Sequence, residues 1–269
     1  MDSSDASPAA FDAALDAWRN WQHSPWGRLR FDLAEHNLAR RLSDLPVGRV
    51  LDLAGADGGD AVRLAARGHH VTLVDYAPDM LAAARERARE AGVGHLLDCH
   101  RADVLAMPDP APYDRHDVVL CHNLLQYQRE PGPALERAVA QTRPGGVLSV
   151  MAINRHSAPL ALAVRALDPG GALRALDERR SRSVTFEAEL TLYTAQEIGR
   201  VLSDLGCRDI RHYGIRTVAD HIVDDERKRD PDFFTELAAL ELALTDREPY
   251  VHTARIFQLV ATVGDGASG

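Results

Sequence analysis

Hydrophobic and polar positions fall into blocks that alternate along most of this chain. Short segments at 48–53, 70–75, 96–101, 117–121 and 147–152 read as strands. Between them, apolar positions recurring every three or four residues predict helices near 59–67, 78–91 and 132–142. Arg143-Pro144-Gly145-Gly146 predicts a turn into the fifth strand. The alternation resumes with a helix at 194–205 and strands at 208–216 and 252–263. This is the pattern of an α/β fold with a largely parallel, Rossmann-like sheet. Residues 11–45 predict one or two amphipathic helices, interrupted around Gln22-His23-Ser24-Pro25, while 1–10 and 264–269 predict disorder. Stretches at about 154–192 and 219–250 break the rhythm and predict insertions at one rim of the sheet, roofing a cleft. The expected organisation is an N-terminal helical lid (1–46) on one ligand-binding domain (47–263).

Residues 49–75 carry the most information. An apolar run reaches Asp52, a turn follows with Ala54, Gly55, Gly58 and Gly59, and a short helix leads to a second apolar run ending at Asp75. Such a unit holds an adenosine-containing cofactor, because a close turn admits the ligand and an acid at the second strand tip accepts ribose hydroxyls. Asp52 and Asp75 lie 23 residues apart, near the roughly 20 expected of a dinucleotide fold. No G-x-G occurs, however, and an acid stands before the turn. A carboxylate there faces a ligand ammonium well but repels a diphosphate. The pattern therefore favours S-adenosylmethionine (SAM) over a nicotinamide or flavin dinucleotide.

Composition narrows the classes. The chain of 269 residues, 45% hydrophobic, is long enough to bury a full core. No apolar stretch reaches the ~20 residues of a membrane span, and no signal-peptide pattern opens the chain, so a cytoplasmic location without membrane partners is expected. Cys99, Cys121 and Cys207 have no C-x-x-C spacing and read as thiols of a reducing compartment. The net charge of −9 argues against a uniformly basic nucleic-acid binder. The histidines show no ligand spacing, so no metal is expected. The single lysine, Lys228, reads as a trait of base composition.

The order of these motifs resembles the class I SAM-dependent methyltransferases, which implies a seven-stranded sheet with an antiparallel last strand. More closely, the chain resembles the bacterial carboxymethoxyuridine tRNA methyltransferases. The resemblance runs through Gly27-Arg28-Leu29-Arg30, Val50-Leu51-Asp52, Arg67-Gly68-His69, Asp79-Met80, Arg143 to Ser149, Gly214-Ile215-Arg216 and Glu248-Pro249-Tyr250. It implies that Arg30 pairs with the methionyl carboxylate, Ala54 and Gly55 line the turn, and Asp75 holds the ribose. Asp52 and Tyr76 border the same ligand, Ala102 and Asp103 lie beside adenine, and His122 lines the cleft. Each implied role suits its chemistry, since an arginine fork gives a carboxylate two charge-assisted bonds. One departure is that Ala54 and Ala56 stand where the family has glycine, and alanine disfavours positive φ.

Alternatives stay open. Asp103 could instead make its own turn, Trp18 and Trp21 could pack on the sheet rim rather than form a lid with Trp26, and Arg179, Arg180 and Arg182 could be a solvated face or an anion contact. A carboxylate acceptor is ionised at neutral pH and needs a cationic holder; Arg216, Arg255 and Tyr250 are the candidates. A hydroxyl or amine acceptor needs a base, for which His122 or His156 stands ready. Three functions follow: oxygen methylation of a small molecule, methylation of a tRNA wobble carboxylate, or SAM binding without transfer. The oligomeric state is left open.

Overall fold

The computed structural model describes residues 7–42, 46–110, 114–183 and 185–264. Three helices open the chain: α1 (Pro8–Ala13), α2 (Leu15–His23) and α3 (Pro25–Leu42). Residues 8–10, expected to be disordered, are helical because Ser7 caps α1 and Pro8 supplies a preset first turn. Residues 1–6, 43–45 and 265–269, where further disorder and helix were expected, lie outside the described residues.

The sheet follows: β1 (Arg49–Leu53), α4 (Gly59–Ala65), β2 (His70–Asp75), α5 (Pro78–Glu90), β3 (Leu97–Arg101), β4 (His116–His122), α6 (Gly132–Gln141) and β5 (Thr142–Ile153). Next come α7 (Ser157–Val164), α8 (Pro169–Ala175) and a small hairpin of β6 (Arg180–Arg182) with β7 (Glu189–Thr191). The chain ends with α9 (Ala195–Asp204), β8 (Cys207–Ile215), α10 (Pro231–Leu244) and β9 (Ile256–Val263). The order across the sheet is β3-β2-β1-β4-β5-β9-β8, and β9 alone runs antiparallel to its two neighbours. This is the α/β, Rossmann-like seven-stranded arrangement expected. Central strands read as apolar runs because both faces are buried: Leu51 and Leu53 pack toward α6 residues, Val50 and Leu73 toward α4 and α5.

One local reading needs correction. The predicted turn at 143–146 is an interruption inside β5: Thr142 pairs with His116 before the register resumes at Val147 opposite Val118. Gly145 takes φ 72, which lets the extra residues loop out without ending the strand. Lys228, the single lysine, has a structural place of its own. Its ammonium is buried, donates to the carbonyls of Ala219 (3.3 Å) and Ile222 (2.9 Å), pairs with Asp225 at 2.7 Å and sits over the Trp26 ring. Trp26 thus packs in the second insertion rather than roofing the cleft.

Candidate functional site

β1 and β2 end side by side, and the Gly-rich turn between β1 and α4 bends the chain away beneath a cavity of about 680 Å³. Parallel strands place their carboxyl ends at one rim, which gathers Asp52, Asp75, Ala102, Asp103, His122 and Arg216 there. Gly55 is required at the bend, since an added Cβ would lie 2.7 Å from the Asp52 carboxylate and 2.8 Å from Leu73. Ala54 and Ala56 adopt φ 56 and 48, a left-handed conformation that costs an alanine about 1–2 kcal/mol each. The Asp75 carboxylate offsets part of that cost by accepting from the Ala56 amide at 2.9 Å; its other oxygen accepts from Ala77 at 2.9 Å. The variant A54G/A56G is expected to gain roughly 0.5–1 kcal/mol per site, because glycine removes the strain but adds unfolded-state entropy. A thermal melt checks this, and a lower midpoint for the variant refutes it.

Arg30, Asp60 and His122 form a buried charged cluster at the middle of the rim. The Arg30 guanidinium donates to both Asp60 oxygens at 2.6 and 2.7 Å and stacks on Phe31. Asp60 also pairs with His122 Nδ1 at 2.8 Å, and His122 Nε2 lies 2.8 Å from the Ser149 hydroxyl. Burial pushes the Asp60 carboxyl up, but Arg30 and His122 overcome it and hold the group far below the usual carboxylate range. Burial also keeps His122 neutral despite Asp60. Nearby, Asp52 is pushed well up by burial and then by the Asp60 charge. Burial raises Asp75 too, against backbone N–H donors that lower it.

At the β8–β9 side of the same rim, Arg216 and Arg255 flank Asp220. Arg216 donates to Asp220 at 2.5 and 2.6 Å, and Arg255 reaches it at 3.9 Å and Ser157 at 3.3 Å. Burial pulls the Arg255 pKa down. The chain between Arg216 and Asp220 is held by Glu241 of α10, whose carboxylate accepts from the amides of Thr217, Val218 and Ala219 at 2.7, 2.9 and 2.7 Å.

Aromatic rings close the roof. Phe11 and Phe186 approach to 4.8 Å between centroids, Phe11 and Tyr127 to 5.2 Å, and Trp18 stacks on Trp21 at 4.9 Å. Trp18 and Trp21 border the cavity. Asp57, in the Gly-rich turn, fixes α2 there by accepting from the Trp18 indole (2.9 Å) and Gln22 (2.8 Å) and pairing with Arg87.

Of the residues singled out from sequence, Arg30, Asp52, Ala54, Gly55, Asp75, Tyr76, Ala102, Asp103, His122, Arg216 and Arg255 all line the cavity. Asp103 makes its own turn as well, accepting from Leu105 at 2.9 Å. Tyr250 does not line it: it sits in a one-turn helix outside the rim and is 46% exposed. His156 is exposed and also outside. His122 is inside, but both ring nitrogens are engaged, which removes it as a free base. Arg179 and Arg180 pair outward with Glu197 and Glu189, whereas Arg182 lines the cavity. The sequence reading passed over Asp57, Asp60, Asp220, Tyr127 and Phe186. An acid in a helix's first turn reads as a dipole partner, so Asp60 gave no separate signal.

Among the described residues, no cluster of three or more His, Cys, Asp or Glu side chains is placed to hold a metal ion, and no helix is long and apolar enough to cross a membrane. Over residues 50–146 the chain matches the family described as a methyltransferase domain. The chain carries a SAM-dependent methyltransferase domain. It is 27% identical over 257 residues to the tRNA 5-carboxymethoxyuridine methyltransferase of Escherichia coli O157:H7, covering 93% of this chain and 94% of that protein. A ubiquinone biosynthesis O-methyltransferase of Xylella fastidiosa is 33% identical over 116 residues, 43% of this chain and 46% of the relative. The fold is shared with the magnesium protoporphyrin IX methyltransferase of Synechocystis PCC 6803, solved with bound SAH, at TM-score 0.61 and 14% identity over 94% of this chain and 95% of that one. The methyltransferase domain's cofactor is SAM.

The cavity of the methyltransferase domain fits that group. SAM carries an ammonium, a carboxylate and a sulfonium. The Gly-rich end of the cavity offers the carboxylates Asp52, Asp57, Asp60 and Asp75 beside Arg30, whose Nε is buried without a hydrogen-bond partner.

Proposed function

We propose that this methyltransferase converts a carboxylate on a small, flat-ringed acceptor into its methyl ester. SAM supplies an already activated methyl group when bound. Arg30 holds its methionyl carboxylate, Asp52 faces its ammonium, and His122 borders the same end. Ala54 and Gly55 line the turn beneath, Asp75 accepts from the ribose hydroxyls, and Tyr76, Ala102 and Asp103 flank the adenine. Residues 1–46 act as the lid on a transferase domain spanning 47–263.

One observation carries the choice of acceptor. Arg216 and Arg255 border the cavity with only Asp220 between them, while the single lining histidine has both nitrogens engaged. Two guanidinium groups against one carboxylate leave a net positive charge for an anion. A carboxylate is ionised at neutral pH and needs no base. What the protein contributes is alignment, holding the acceptor oxygen roughly 3–3.5 Å from the methyl carbon and excluding water. The aromatic roof gives a flat ring somewhere to stack.

A second reading, methylation of a tRNA wobble carboxylate, is supported by the near full-length similarity to the Escherichia coli tRNA enzyme. Both readings imply a cytoplasmic enzyme. They part on the partner, and the outward ion pairs of Arg179 and Arg180 favour the small acceptor, since they leave less free positive charge for RNA. Incubation with methyl-labelled SAM and separated metabolite and RNA fractions decides between them. Label is expected in a base-labile ester in the metabolite fraction, and R255M is expected to lose at least tenfold in kcat/KM. Label confined to tRNA establishes the second reading; base-stable label in either fraction refutes a carboxylate acceptor.

A further inference from the structure

Several fully buried polar side chains outside the cavity form a continuous run behind His122. Gln258 of β9 donates through Nε2 to the Ala34 carbonyl at 3.2 Å and to the Ser149 hydroxyl at 3.0 Å. A carbonyl only accepts, so the Ala34 contact fixes which way the Gln258 amide faces. Its Oε1 accepts from Asn37 Nδ2 at 3.1 Å, and Asn37 in turn bonds Thr245, whose hydroxyl reaches the Gly214 carbonyl at 2.8 Å. Asn37 lies two turns after Arg30 on α3, so both project from one face of that helix. Ser149, Asn37 and Gln258 are each 0% exposed, and none lines the cavity.

The direction of every bond follows. Because Gln258 donates to Ser149, the Ser149 proton is free to point at His122 Nε2. The ionised Asp60 carboxylate can only accept, so Nδ1 carries the proton and donates to it, and Nε2 of the neutral ring is left to accept from Ser149. Ser149, His122 and Asp60 stand at the distances of a serine nucleophile and its base, yet a fully enclosed hydroxyl with no route to the cavity attacks nothing. Its role is elsewhere.

We infer that Ser149 and Gln258 are positioning residues for cofactor binding: by fixing the His122 tautomer they aim the Asp60 carboxylate that holds Arg30. The inference rests on the reading of Arg30 as the seat of the methionyl carboxylate. Four groups face this point: Asp60 from α4, Arg30 from α3, Ser149 from β5, and Asp52 of β1 beside Asp60. Remove the Ser149 hydroxyl and Nε2 loses its donor. The proton then shifts between nitrogens, or a second one binds, and Asp60 loses its fixed hydrogen bond.

The test is Ser149→Ala followed by SAM titration calorimetry from pH 6 to 8, together with nitrogen NMR of the histidine rings without cofactor. For the wild type, a Kd that is flat across this window and an Nδ1-protonated His122 are expected. For S149A, the Kd is expected to rise about tenfold and become pH-dependent, with the His122 signal moving off the Nδ1–H form. Ser149→Thr, which restores a hydroxyl on a strand that tolerates β-branching, is expected to recover both. A merely structural role lowers the melting temperature without altering the pH profile or the tautomer. Wild-type affinity and tautomer in S149A overturn the inference. An Nε2-protonated His122 in the wild type overturns it even where SAM binds normally. Failure of the wild type to bind SAM overturns the reading of the Arg30 end itself.

Discussion

Replacing Arg30 with methionine is expected to cost about 3–5 kcal/mol of stability and to abolish measurable SAM binding. Arg30 is 3% exposed, and its removal leaves Asp60 buried beside Asp52 with no full charge to oppose it. Breaking one half of a buried pair costs this much because the orphaned charge keeps its desolvation penalty. Acid dependence gives a second signature. In the wild type the Asp60 pKa is depressed, so its contribution is present above the unfolded value near 4 and is lost as pH falls toward the native one. Without Arg30, burial dominates and raises the Asp60 pKa, so the variant gains stability relative to the wild type as pH falls. Melting curves at pH 4 to 8 check both points. A midpoint within ~2 °C of the wild type at pH 7.5 refutes the account.

Glu241→Leu is the second large effect. This carboxylate lies in α10, is fully buried, and accepts from three consecutive amides just after Arg216. Leucine fills the space but leaves three N–H groups unsatisfied, each costing about 1–3 kcal/mol. The expected loss is roughly 3–9 kcal/mol, with the 217–220 segment loosening and Asp220 leaving its place between Arg216 and Arg255. SAM affinity is expected to persist at temperatures where the variant stays folded, because no residue of the Gly-rich turn depends on Glu241. Acceptor turnover is expected to vanish. Calorimetry with SAM beside a turnover assay separates the two, and equal loss of both refutes the division of the rim.

The centre of the sheet was legible because its strands are buried on both faces and so appear as apolar runs, from Val50-Leu51 to Val147-Leu148. The acids at the tips of β1 and β2 were legible for the same reason: a charge ending such a run has to face something. Arg143 to Gly146 misled because proline and glycine mark a bulge as readily as a turn. Much of the roof left no local trace. Phe11, Trp18, Tyr127 and Phe186 come from segments up to 175 residues apart, and only the finished fold brings them together. Tyr250 failed because nearness in sequence to β9 does not decide which side of the rim a one-turn helix takes. Asp60 escaped notice because its pairing with Arg30 on one side and His122 on the other joins three separate elements.

The ring-on-ring closure above the cleft also bears on its response to heat. Phe11, Trp18 and Phe186 meet through hydrocarbon edges and faces, while the Trp18 indole also donates to the buried Asp57, so parting these rings would expose apolar surface and strand one polar donor. Loosening of this aromatic contact is expected to respond to warmth and to agents that weaken hydrophobic contact.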